Sequence, residues 1–310
     1  MAVDPEDPGR IWAAYANAVY RTANGGGRWV RVPGPSGLLL TGPLAIGAGS
    51  QVYAEGRDNN GKGIWTADRD GASWRQLLGS PEITRIDTFR LASDLSTLYA
   101  AGSDLFNQEV VYRSTDGGAT WQPRSSGASL PAPGPGCRIE DLSVAPSDAG
   151  VLYIAGSTYD PAIPGCRSTV IRSDDGGATW TSLGGGPPVG VVSHLAVDPR
   201  DPDIVYAGTG DGLTPGDGLW KSTDGGGTWS KIDNFRVQSI TALLASAVPG
   251  RVYAATLGQI FRSDDGGATW RTRNRALRTE GVFELVADPV DPHRIYAATL
   301  NGVWTLREAD

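Results

Sequence analysis

The nonapeptide RSDDGGATW fills Arg172–Trp180 and returns letter for letter at Arg262–Trp270. Its Asp and Gly residues are turn formers: the carboxylate accepts backbone N–H groups just ahead of it, and glycine supplies positive φ that other residues resist. Apolar residues stand on both sides, so the stretch reads as two strands joined by a tight turn. Placing the closing tryptophan of every similar stretch in register gives Trp29, Trp74, Trp121, Trp180, Trp229 and Trp270, spaced by 45, 47, 59, 49 and 41 residues. Nine residues before each stands a bulky apolar residue: Tyr20, Trp65, Tyr112, Ile171, Trp220 and Phe261. A spacing of 41 to 59 residues is that of a repeat unit built from a few short strands.

Upstream of each turn lies a short β-rich run ending in an aromatic, at Trp12, Tyr53, Tyr99, Tyr153, Tyr206, Tyr253 and Tyr296, which makes seven repeats. Proline turns such as VDPRDP at 197–202 and ADPVDP at 287–292 precede several of these runs, and a further β-rich run precedes the turn. Each unit therefore reads as four antiparallel strands. The fold expected is all-β, a seven-bladed β-propeller, because a small twisted sheet cannot bury both faces alone and radial stacking lets each blade cover its neighbour. One domain is expected over 1–310, with repeats at about 1–32, 33–78, 79–124, 125–183, 184–232, 233–273 and 274–310. Trp304 takes the place nine before a closing tryptophan, yet the sequence ends at Asp310, so the last blade is expected to be incomplete and its open edge to favour self-association.

Four turns fit S-x-D-x-G-x-T-W in full: Ser114 to Trp121, Ser173 to Trp180, Ser222 to Trp229 and Ser263 to Trp270. These resemble the Asp-box, or BNR, repeat. The first repeat keeps Thr22, Asn24, Gly26 and Trp29, whereas the second has Ala67 and Arg69 where Ser and Asp belong. The resemblance implies propeller families that include sialidases, xyloglucan-cleaving hydrolases, sortilin-type receptors and photosystem II assembly factors, and so bears on fold more than on function. Asp116, Asp175, Asp224 and Asp265 are read as acids consumed by turn geometry. Trp121, Trp180, Trp229 and Trp270 are read as rings tucked into the core.

The net charge of −7 and pI near 4.9 argue against a nucleic-acid partner, since phosphate binding rests on a basic surface. No apolar run approaches the length of a membrane span, and the N-terminal residues lack the pattern of a signal peptide. Cys137 and Cys166 fit no zinc spacing and are candidates for one disulfide, which leans the chain toward an extracellular, periplasmic or cell-surface setting. With only His194 and His293, neither a metal site nor a Ser-His-Asp arrangement is expected, and no cofactor is implied.

Loop length separates the two ends of the blades. The connection between the second and third strands lengthens only in repeats two to five, and the insert SSGASLPAPGPGC lies on the path into repeat four. Both kinds of loop emerge opposite the Asp-Gly turns, so ligands are expected there. Contact candidates are Arg85, Arg138, Phe106, Tyr159, Asp160, Asp211, Asp217 and Phe235. Twelve residues before the aromatic landmarks stand Thr41, Asp87, Asp141, His194, Thr241 and Glu284, expected at one level on the first strands. A binding or assembly module for a protein segment or glycan needs nothing the sequence lacks. The alternative is a glycoside hydrolase, in which Asp87, Asp141 or Glu284 would serve as acid and base, with His194 nearby. Against it, the sialidase F/Y-R-I-P segment is missing, and the chain is too short for the paired propellers of the xyloglucan enzymes.

Overall fold

The structure is a computed structural model, and it describes residues 1–15, 18–34, 37–59, 61–79, 83–104, 108–126, 130, 138–159, 166–183, 187, 191–210, 216–235, 237, 239–273 and 281–307. Of the side chains of 41, 42, 125, 126, 158, 159, 166 and 167 nothing is described. The chain is all-β, a seven-bladed β-propeller whose only helical turn among the described residues is the 3-10 segment Ala48–Ser50.

Its residues form two compact units. The first unit, Met1–Gly127 with Asp288–Asp291, holds three four-stranded blades. These are β1 (Ala2–Val3), β2 (Ile11–Tyr15), β3 (Ala18–Thr22) and β4 (Val30–Val32); β5 (Leu39–Ile46), β6 (Val52–Asp58), β7 (Gly61–Ala67) and β8 (Trp74–Gly79); β9 (Arg85–Leu91), β10 (Leu98–Ser103), β11 (Glu109–Ser114) and β12 (Gln122–Ser126). The second unit, Ala128–Ala287 with Pro292–Asp310, holds the other four. They are β13 (Ile139–Ala145), β14 (Asp148–Tyr159), β15 (Cys166–Ser173) and β16 (Thr181–Ser182); β17 (Val192–Val197), β18 (Val205–Thr209), β19 (Leu219–Ser222) and β20 (Ser230–Lys231); β21 (Ala242–Ala245), β22 (Val252–Ala255), β23 (Ile260–Ser263) and β24 (Arg271–Thr272); β25 (Val282–Ala287), β26 (Arg294–Thr299) and β27 (Gly302–Arg307). Every blade is antiparallel with its strands in chain order.

Within each unit the first strands of successive blades lie against one another: β5 on β9, and β13, β17, β21 and β25 in series. In the second strands Leu98 to Ala101 and Leu152 to Ala155 are fully buried without alternation, which is why these strands read as unbroken apolar runs. The aromatic landmark of each strand is at most 1% exposed, and burying one such ring contributes roughly 1.5–3 kcal/mol.

A buried tyrosine hydroxyl must find a partner, and here it finds the next blade. Tyr53 donates to the Gly117 carbonyl at 3.3 Å, Tyr206 to that of Gly266 at 3.3 Å, and Tyr153 to that of Pro202 at 2.8 Å. The acceptors lie in the Asp-Gly or proline turns of the following blade. Arg172 reinforces one such junction by bonding Tyr153 Oη at 3.0 Å together with the carboxylates of Asp174 and Asp203.

The seventh blade has three strands among the described residues. In the fifth blade Trp220 faces Ala207 on one side and Lys231 of the fourth strand on the other, with the Lys231 ammonium 5.9 Å from its ring. Trp304 occupies the same register opposite Ala297 but is 38% exposed against 8% for Trp220, and no fourth strand among the described residues pairs with β27.

Candidate functional site

The Asp-Gly turns consume four aspartates in their own geometry. Ser114 Oγ donates to Asp116 Oδ1 at 2.7 Å and accepts the Gly118 N–H at 2.8 Å. Asp116 in turn accepts the Thr120 N–H at 2.9 Å and the Thr120 hydroxyl at 2.7 Å. Gly117 and Gly118 have φ of 66° and 85°, a backbone that a side chain would strain. The same bonds recur at Asp175, Asp224 and Asp265. Bonds from the threonine four residues ahead hold Asp116, Asp224 and Asp265 at a pKa of about 2, and Asp175 is lowered as well. Trp180 and Trp270 are fixed by Nε1 bonds of 3.1 Å to the Gly177 and Gly267 carbonyls; Trp121 and Trp229 pack against the cores of their blades.

At the opposite, loop-bearing end of blades two and three the structure assembles a charged cluster. Register places Arg85 opposite Ser103 and Ser103 opposite Glu109, so three adjacent strands present these residues side by side. Arg85 donates through Nε and Nη2 to Asp87 Oδ1 and Oδ2 at 2.7 and 2.9 Å, and through Nη2 to Glu109 Oε1 at 2.7 Å. From the second blade Lys62 reaches Glu55 Oε1 at 3.3 Å and the Ile86 carbonyl at 3.2 Å. Gly102 permits this arrangement: a Cβ there would meet the Arg85 carbonyl oxygen at 1.8 Å, and the ladder shifts register at the same point, leaving Asp87 out of the pairing.

Burial divides the cluster. The Glu109 and Glu55 side chains are 2% and 6% exposed, whereas those of Arg85 and Lys62 are 35% and 40% exposed. Burial pushes the Glu109 carboxyl up to about 7, with Arg85 opposing the rise and Asp87 adding to it. Glu55 is raised by burial against the opposing charge of Lys62. Glu109, Glu55 and Lys62 were not among the residues expected from sequence: Lys62 and Glu109 stand three residues before the apolar landmarks Trp65 and Tyr112, a place that Ser168, Asp217 and Gly258 take in other repeats, so no motif marks it.

The second unit treats its expected residues differently. Asp141 is 5% exposed; its Oδ1 accepts the Leu142 N–H and its Oδ2 accepts the Leu195 N–H of the next blade, both at 2.8 Å. Asp141 thus joins blade four to blade five. Arg138 donates from Nε to both oxygens of Glu140 at 3.2 Å and remains 61% exposed. Asp217 pairs with Lys231 at 2.7 Å. Phe235, expected as a loop contact, is instead buried, with its ring 5.1 Å from Phe261 and 4.7 Å from Trp270, because the loop folds back over the core of blades five and six. His194 and Glu284 are half-buried.

Constant offset from the aromatic landmark does not give constant register. Asp141, His194 and Glu284 face the residue two beyond the landmark, at Ala155, Gly208 and Ala298. In blades three and six that place belongs to Thr88 and Ala242, so Asp87 and Thr241 fall one residue outside the series. In blade two Thr41 falls within the irregularity between Leu40 and Leu44. Phe106, Asp160, Asp211 and Cys137 lie outside the described residues, as do the side chains of Tyr159 and Cys166, so the disulfide expectation lies outside them too. Among the described residues no group of three or more His, Cys, Asp or Glu could hold a metal ion, and no helix is long and apolar enough to cross a membrane.

Comparison with known proteins agrees with the fold. The family model for the BNR/Asp-box repeat matches residues 112–123. A xyloglucanase of Hypocrea jecorina (strain QM6a) is 30% identical over 179 residues, covering 54% of this chain and 20% of that enzyme. The chain thus spans about a fifth of the length of the curated relatives it matches. Among solved structures, YCF48 bound to D1 peptide aligns with a TM-score of 0.60 at 16% identity, covering 97% of this chain and 90% of that one. The GH74 enzyme of Niastella koreensis aligns with a TM-score of 0.54 at 16% identity, covering 99% and 63%.

Proposed function

We propose that this chain, an Asp-box (BNR) β-propeller, is a non-catalytic binding or assembly module that engages a protein segment or a glycan at the blade ends opposite its Asp-box turns. One observation carries the reading: two of the expected acids, Asp87 and Asp141, are engaged while neighbouring cations face solvent. Both oxygens of Asp87 are held by Arg85 and both of Asp141 by backbone N–H groups. Arg85 and Arg138 keep 35% and 61% of their side chains exposed at the same ends of the blades. Arg85 is held by two carboxylates and Arg138 by one, so each guanidinium is pre-oriented to donate to a further polar partner at low entropic cost. A likeness to YCF48, solved with a bound D1 peptide, supports a peptide-sized ligand.

A glycoside hydrolase is the second reading, and it rests on Glu109. A carboxyl held near 7 beside Asp87, joined through one guanidinium, is the pairing of an acid with a carboxylate that glycoside cleavage uses. The xyloglucanase relatives favour the same substrate class. Its weakness is access, since Glu109 is buried.

Glycan-array binding combined with hydrolysis assays on xyloglucan oligosaccharides separates the two. Capture without turnover supports the module. Turnover lost in both Asp87→Asn and Glu109→Gln overturns it in favour of the hydrolase. Self-association through the edge of the seventh blade at β27 belongs to the module reading and predicts a concentration-dependent sedimentation coefficient. An oxidising, extracellular or periplasmic setting also belongs to it, and a thiol count under denaturing conditions would test the Cys137–Cys166 bond.

A further inference from the structure

The second blade is where the repeat loses its clasp, and the loss leaves a cleft. Ala67 and Arg69 replace the Ser and Asp of the motif. Asp68, one position early, closes the turn instead by accepting the N–H groups of Asp70 at 3.1 Å and Ala72 at 2.9 Å, with the Ser73 hydroxyl at 3.4 Å. Beside this turn lies a cavity of about 490 Å³, lined by Gly49, Gln51, Thr66, Arg69, Ser73 and Arg75 among others.

The charges around it are unevenly matched. Asp70 is taken by Arg10 at 3.4 Å and Arg21 at 3.1 Å. Asp68 also lines the cleft, but its carboxylate is spent on the turn, and those backbone bonds hold it below the usual carboxylate range. Glu6 approaches the rim and accepts the Gly49 N–H at 2.7 Å. Arg69 and Arg75 are exposed, and neither guanidinium forms an ion pair with any described residue, whereas Arg10, Arg21, Arg85, Arg172, Arg251 and Arg262 all do.

We propose that this cleft on the Asp-box side of blade two is a binding site for a small oxyanion-bearing molecule, held by the guanidinium groups of Arg69 and Arg75. Guanidinium forks match the oxygens of phosphate, sulfate and carboxylate, and two of them around one cavity suit a doubly charged group. Gln51 lines the same space; its amide gives one hydrogen to Thr66 Oγ1 at 2.9 Å and carries a second. The volume exceeds that of a bare phosphate, which leaves room for the molecule that carries it. The site is separate from the loop-bearing ends assigned to the main ligand.

Calorimetric titration of the whole chain with inorganic phosphate, sulfate and glucose 6-phosphate tests the site, at low and at physiological salt. Binding is expected to weaken on the order of tenfold in each of Arg69→Gln and Arg75→Gln. Tighter binding of glucose 6-phosphate than of phosphate identifies a carried group as the ligand, and equal binding identifies the free ion. The double variant Ala67→Ser with Arg69→Asp, which restores the repeat's own clasp, should abolish binding without loss of thermal stability. Affinity unchanged in both arginine variants, or no saturable binding of any of the three probes at low salt, would overturn the proposal.

Discussion

The carboxylate of Asp141 reaches out of its own blade to accept the backbone N–H of Leu195, fifty-four residues later, at 2.8 Å. This makes Asp141 a fastener between blades four and five. Asp141→Ala removes two charge-assisted bonds and leaves the buried Leu195 N–H without a partner, an expected loss of about 3 kcal/mol. Urea unfolding monitored by tryptophan fluorescence measures it. An unchanged midpoint would return Asp141 to the pool of functional candidates.

Asp116, Asp224 and Asp265 are held at about 2, below the ordinary aspartate value of 3.8. A depressed folded-state pKa contributes stability above the unfolded value, and that stability disappears as pH falls through the folded one. The urea midpoint should therefore drop between pH about 4 and about 2. Asn24 shows that an amide can close the same turn, since its Oδ1 accepts the Arg28 N–H at 2.9 Å. The triple variant Asp116→Asn, Asp224→Asn, Asp265→Asn should keep the fold and flatten the acid limb of the curve.

Glu109 has the opposite sign. Its carboxyl is raised to about 7 from 4.5, so the stabilising contribution is complete below 4.5 and is lost as pH rises through about 7. Glu109→Gln, which mimics the protonated form, should stabilise the chain at pH 8.5 by about 1–3 kcal/mol and make little difference at pH 4. Denaturation of both proteins at the two pH values decides the matter.

Phe235 sits between Phe261 and Trp270. Truncation to alanine should cost about 3–5 kcal/mol through the cavity left behind. Ligand capture by the fraction that remains folded should be unchanged. A binding defect with normal stability would place Phe235 in the ligand site after all.

The fold was legible because its signal is repeated: one turn motif, one aromatic and one proline turn recur in phase, and the register of the blades follows from them. The site was less so, for two physical reasons. Strand register is a matter of single residues, and turns shortened by one between β9 and β10 and between β21 and β22 put Asp87 and Thr241 out of the series that counting assigned them. Charge clustering distant in sequence leaves no local trace: Glu109 meets Arg85 only when β9, β10 and β11 pair, Lys62 reaches the Ile86 carbonyl only when blades two and three stack, and nothing in their neighbours' identities announces it. Phe235 shows the same limit from the other side, since a loop aromatic and a core aromatic look alike until the chain folds back.

Three tyrosine bonds between blades point the same way. Tyr53, Tyr153 and Tyr206 each reach forward along the chain, and none of the three bonds runs backward. A blade of this kind carries a hook and offers an eye for the one before it. Tandem duplication of a single unit therefore brings its own coupling to both neighbours, so a gene could lengthen such an array one copy at a time without first inventing a new joint.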